Sequence, residues 1–145
     1  MDYFISYGYI GLFLASFLAA TILPLSSEIV LSVLLLNHYD VATTITVASI
    51  GNILGSITNY YIGLGSHNLV LKRLENTSRE KINHSIETLK KFGTPALLFA
   101  WVPIIGDPLT VAAGFIRVKL TQFILFVSVG KIIRYYIVAT LIINN

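Results

Sequence analysis

Four charged residues lie deep within apolar sequence: Glu28, Asp107, Lys131 and Arg134. Glu28 follows Pro24 and is the single charge between residues 3 and 36. Asp107 sits between Pro103 and Pro108, directly after Gly106, in the stretch WVPIIGDPLTVAAG. Lys131 and Arg134, three apart, share one face of the last apolar run. An ionised carboxylate at a bilayer centre costs on the order of 3 kcal/mol, so such groups line water-filled paths or pair with a cation. Burial would raise a carboxylate pKa and make it a proton carrier, while a helix N-terminus offsets that and attracts anions. Arginine adds a planar fork that matches phosphate oxygens. Three readings stay open: mutual neutralisation that holds the fold, a polar path for a phosphate-bearing head group, or plain helix capping. For the last, Asp107 would be an N-cap with Pro108 at the first helical position, and Ser26, Ser27 or Glu28 would do the same after Pro24.

The chain that positions these groups is that of an integral membrane protein. Of its 145 residues 55% are hydrophobic and 12% charged, with mean hydropathy +0.78, against about 25% charged in soluble domains. The length allows one domain. Absence of cysteine excludes disulfides and thiolate metal sites. The N-terminus lacks a basic region and cleavage site, and reads as part of the mature protein. Lys72, Arg73, Arg79, Lys81, Lys90 and Lys91 crowd one segment with Glu75, Glu80 and Glu87. The positive-inside rule makes this loop, about residues 66–91, cytoplasmic. Its interleaved acids argue against nucleic acid.

Residues 41–65 carry no charge and are long enough to cross ~30 Å of hydrocarbon. Gly51, Gly55, Asn59 and Gly63 fall on one face, the small-residue pattern for close helix approach, used within the chain or in a homodimer. In the loop, Thr77 to Glu80 fits a capping box and Ile82, Ile86 and Leu89 follow at helical spacing. This predicts an amphipathic helix, lying on the membrane interface or solvated as a linker. The piece 93–116 is too short for two crossings, and its prolines disfavour one. Two arms of about ten residues, each ~15 Å long, predict a re-entrant hairpin.

A shift of 79 residues aligns the halves at unusual positions. Pro24 meets Pro103, Glu28 meets Asp107, and SIGNILG from Ser49 meets SVGKIIR from Ser128. Upstream, Tyr7-Gly8 resembles Phe92-Gly93 after a further offset of about six. The pattern predicts an all-α membrane fold of two inverted repeats, about residues 3–65 and 92–143, each a re-entrant hairpin plus a transmembrane helix. The hairpins would enter from opposite faces and bring Glu28 and Asp107 towards each other. His38, His67 and His84 are scattered and suggest no metal site, Ser26 and Ser27 have no nearby histidine, and neither a catalytic centre nor a cofactor is expected.

The stretches YGYIGLF, PLSSE (24–28), GNILGSITNYYIG (51–63) and WVPIIGDPLTVAAGFIR (101–117) resemble the DedA superfamily, also called SNARE-associated Golgi or VTT-domain proteins, in its small bacterial YqaA branch. The resemblance implies a multi-pass bacterial inner-membrane protein. It also implies lipid movement between leaflets, by scrambling or by proton-driven flipping of phospholipids or undecaprenyl phosphate. It gives functional roles to Glu28 and Asp107 as hairpin acids and to Arg117 as the arginine closing the motif. Larger members carry arginine-aromatic-x-proline-x-x-arginine at the second hairpin, whereas Ala100 and Gly106 stand at those arginine positions here. That departure counts against undecaprenyl phosphate specifically, unless Lys131 and Arg134 substitute. The expected function is therefore lipid translocation; the alternative is proton-coupled transport of a small ion or solute.

Overall fold

Leucine, isoleucine, alanine and phenylalanine fill most runs between the prolines, and the chain answers with helices. The computed structural model describes residues 2–21, 27–65 and 76–145, side chains excepted at 2–4 and 76–78. Its elements are α1 (Asp2–Thr21), α2 (Ser27–Leu36), α3 (Val41–Gly65), α4 (Asn76–Phe92), a 3₁₀ helix (Thr94–Trp101), α5 (Gly106–Phe115) and α6 (Leu120–Ile143). The described residues form an all-α protein. Helices α3 and α6, with 25 and 24 residues, are long and apolar enough to cross a membrane. Their outward residues, among them Ile50, Leu54, Leu125, Ile133 and Ile137, are exposed, as a lipid-facing surface requires.

The 79-residue register extends to the backbone. Helix α2 begins and ends 79 residues before α5, and α3 begins 79 before α6. Both short helices close with the same turn. His38 N–H donates to Leu35 and Tyr39 N–H to Leu34; Arg117 N–H donates to Gly114 and Val118 N–H to Ala113. These are Schellman turns, and their left-handed residues, His38 (φ 63°) and Arg117 (φ 58°), occupy equivalent positions without being glycine.

Contacts group the chain into two units, residues 1–55 with 131–145, and residues 56–130. In the first, Leu12, Leu31, Leu34, Leu35, Ala48, Tyr135 and Ala139 form a core. There Gly51 and Gly55 press α3 onto α1: an added Cβ would lie 2.5 Å from the Phe13 carbonyl and 2.6 Å from that of Phe17. In the second, the core runs from Tyr60 through Leu97 and Leu109 to Phe123 and Val127. Gly63 there backs onto the Val111 carbonyl, and Asn59 donates to Thr110 Oγ1 at 3.2 Å. The small-residue stripe of α3 is thus occupied by helices of the chain itself.

Three expectations need adjustment. The apolar face of α4 is covered by protein: Ile82 and Leu89 are buried and Ile86 packs against the same core. The second half does contain two short helices, but the first is 3₁₀. Eight residues at ~2 Å rise and ten at ~1.5 Å give them similar lengths, each about half a hydrocarbon core. In the first half, α1 runs for 20 residues, about 30 Å, against ten for α2.

Candidate functional site

Helix α2 brings Ser27 and Glu28 to the start of ten helical residues. Glu28 forms an ion pair with Arg134 of α6, with 25% and 20% of the two side chains exposed. Beside the pair, Ser27 Oγ and the Tyr135 hydroxyl lie 2.7 Å apart. Asn52 Nδ2 donates to Tyr135 Oη at 3.1 Å and to the Ser16 carbonyl at 3.1 Å. Helices α1, α2, α3 and α6 therefore each place a polar group in one buried cluster. Ser49, one turn before Asn52, is 4% exposed, and its hydroxyl has no hydrogen-bond partner among the described residues. Such a group costs about 1–3 kcal/mol unless a water or ligand reaches it. Lys131, one turn before Tyr135, is 2% exposed.

Ser16, Asn52 and Tyr135 were absent from the sequence candidates. Their signal was available in α3, where Ser49 and Asn52 recur at one-turn spacing in a helix without charge. Neutral polar residues are common enough in apolar helices that spacing alone does not single them out.

The second unit holds Pro103, Gly106, Asp107, Pro108 and Arg117. Asp107 is not the N-cap expected from the sequence. Helix α5 starts at Gly106 after Ile105, and no side chain caps it. The reason is local: the Gly106 N–H already donates to the Val102 carbonyl at 2.8 Å, and a proline fits any first-turn position because those N–H groups need no intrahelical acceptor. Asp107 is thus inside the first turn and half-buried. Its backbone carbonyl accepts from Thr110 Oγ1 at 2.7 Å. Just before it, Ile104 adopts a left-handed backbone (φ 72°) with its side chain 72% exposed. A β-branched residue there is strained. Arg117 is exposed on the turn after α5. Pro24 lies outside the described residues.

The geometry joins Glu28 with Arg134 and buries Lys131 in the same unit. A model of the VTT domain matches residues 23–144. The chain belongs to the VTT-domain (DedA) family. It is 37% identical over 130 residues to the inner membrane protein YqaA of Escherichia coli, covering 89% of this chain and 87% of that protein. It is 33% identical over 132 residues to an uncharacterized protein of Haemophilus influenzae, covering 86% and 80%. No solved structure matches. As a YqaA-like family member with two helices long and apolar enough to cross a membrane, the VTT-domain chain resides in the bacterial inner membrane.

Proposed function

We propose that this protein moves phospholipid-type lipids between leaflets, as a scramblase or a proton-coupled flippase. The observation that carries this is the half-buried Glu28–Arg134 pair at the start of a ten-residue helix, in a chain whose two long helices expose isoleucine and leucine. Both signs of charge are offered there to a head group bearing phosphate and ammonium, while acyl chains stay in the bilayer. Arg134 suits the phosphate because its planar fork matches phosphate oxygens, and Glu28 suits the ammonium or a proton. Lys131 and the Ser49–Asn52–Tyr135 cluster supply the polar interior that a head group or water needs. In the second unit, Asp107 is a further candidate proton-carrying carboxylate and Arg117 a further candidate phosphate contact. No bond is made or broken, so the reading is of a transporter without a cofactor.

In this reading the 3₁₀ helix and α5 are a re-entrant hairpin, since each arm spans about half the hydrocarbon core. Charge supports an inverted arrangement in the membrane. The equivalent Schellman turns read His38-Tyr39-Asp40 and Arg117-Val118-Lys119; by the positive-inside rule only the second, with the basic loop 66–91, is cytoplasmic.

The test is exchange of fluorescent phospholipids in proteoliposomes, comparing the wild type with Asp107→Asn and with Glu28→Gln/Arg134→Gln at matched reconstitution. Exchange by the wild type and its loss in folded variants is the expected result. A folded wild type without exchange overturns the reading and leaves proton-linked solute flux as the activity to measure. In the same preparation, single cysteines at positions 38 and 117 should react with an impermeant thiol reagent from opposite sides; labelling from one side removes the inverted arrangement.

A further inference from the structure

Within the second unit, α4, the 3₁₀ helix and α5 enclose a cleft of about 460 Å³. Its polar edge comes from α4 alone, with His84, Ser85 and Thr88; its apolar wall includes Val102, Ile105 and Leu109. This is the shape of an amphiphile, polar at one side and hydrocarbon at the other. The two hydroxyl protons are already committed, Ser85 to the Lys81 carbonyl and Thr88 to that of His84, each at 2.9 Å. Among the donors left on α4 are the exposed His84 imidazole and the ammonium groups of Lys81 and Lys91. Lys81 and Lys91, seven residues before Thr88 and three after it, share its side of the helix, so the edge favours a negative head group. Backbone strain lies within this wall. Ile104, left-handed between Val102 and Ile105, is a conformation that costs about 1–2 kcal/mol and recurs where a ligand is clamped.

We propose that this cleft is a binding site for one acyl chain of an anionic phospholipid, with the head group on the basic face of α4. The site shares no residue with the Glu28–Arg134 pair, and its occupancy is read without any transport assay. Lipid bound there pins α4 to the hairpin.

Trp101, the one tryptophan of the chain, adjoins Val102 and is 40% exposed, which makes it a built-in probe. In phosphatidylcholine nanodiscs, phosphatidylglycerol brominated on its acyl chain is compared with brominated phosphatidylcholine at equal mole fraction. The expected result is stronger, saturable quenching of Trp101 by the anionic lipid, with the excess lost in Thr88→Phe, which fills the cleft from α4. Equal quenching by the two lipids overturns the proposal. So does an excess that survives in Thr88→Phe, since basic surface charge alone would then explain it. Val102→Phe fills the cleft from the opposite wall and serves if Thr88→Phe does not fold. Protection of Trp101 by dimerisation in lipid-free detergent would assign the cleft to a second copy instead.

Discussion

Helices α2 and α5 have the same length, the same closing turn and the same register to the long helix that follows, yet their first turns are stabilised differently. At α2, Ser27 and Glu28 reach Tyr135 and Arg134, a hydroxyl pair and an ion pair. At α5 the equivalent of Ser27 is Gly106, and the polar bonds around the first turn run from Asn59 to Thr110 and from Thr110 to the Asp107 carbonyl. The residue 79 positions before Arg134 is Gly55, and α3 carries no charge at all. The two helices therefore share their closing turns and differ in the polar chemistry of their first turns. Turn geometry depends on local hydrogen bonds, and those of Asn37 to Val33, His38 to Leu35 and Tyr39 to Leu34 recur 79 residues on. Side-chain pairing depends on which residue another helix presents, and Gly55 cannot present the guanidinium that Arg134 does.

The widest gap between the two helices is expected at Ser27 and Gly106. A Cβ on Gly106 would collide with the Ala100 carbonyl, backbone that cannot rotate away, so Gly106→Ser should cost about 3 kcal/mol or prevent folding. Ser27→Gly loses one hydrogen bond and some helix propensity, about 1–2 kcal/mol in all. Thermal unfolding in detergent compares them. Equal losses would mean that the close approach at α5 relaxes easily.

The ion pair comes next. Arg134→Gln strands a half-buried carboxylate and should destabilise by about 3 kcal/mol, whereas Asn59→Ala near α5 should cost about 1 kcal/mol. Adding Glu28→Gln to Arg134→Gln should recover most of the loss. A double-mutant cycle measures this; additive losses would show that the pair carries no coupling.

How much of this was legible beforehand follows from the same physics. The offset of 79, the close-approach glycines and the face of Ile82, Ile86 and Leu89 could be read because each depends on neighbours in sequence. That Arg134 would meet a carboxylate was one of the open readings, because charges in apolar sequence need partners. The cap at Asp107 was misread, since Asp-Pro signals a helix start without fixing which N–H is already satisfied; Gly106 donating to Val102 moved the start back one residue. The 3₁₀ arm could not be read, because TPALLFAW suits an α-helix equally and the tighter winding is decided by packing. The cleft wall at Val102 and Ile105 depends on the left-handed Ile104, which no isoleucine announces.

The smallest effect expected is at the starts of α3 and α6, where Asp40 and Lys119 are equivalent. The Asp40 carboxylate accepts from Thr43 Oγ1 at 2.7 Å and from the Thr43 N–H at 2.8 Å. Those two bonds hold its pKa below the ordinary 3.8. A carboxyl group whose pKa is lower in the folded state stabilises that state above its unfolded pKa, and the contribution fades as pH falls through the folded value. Asp40→Asn keeps a good cap and removes the titration. The wild type should therefore unfold at a slightly higher temperature than Asp40→Asn at neutral pH, with the gap closing as the pH is lowered past about 4. Lys119 puts an ammonium where Asp40 puts its carboxylate, so Lys119→Gln should show no such pH-dependent gap. A gap for Asp40→Asn that is unchanged in acid would mean that the cap acts through hydrogen-bond geometry alone, without its charge.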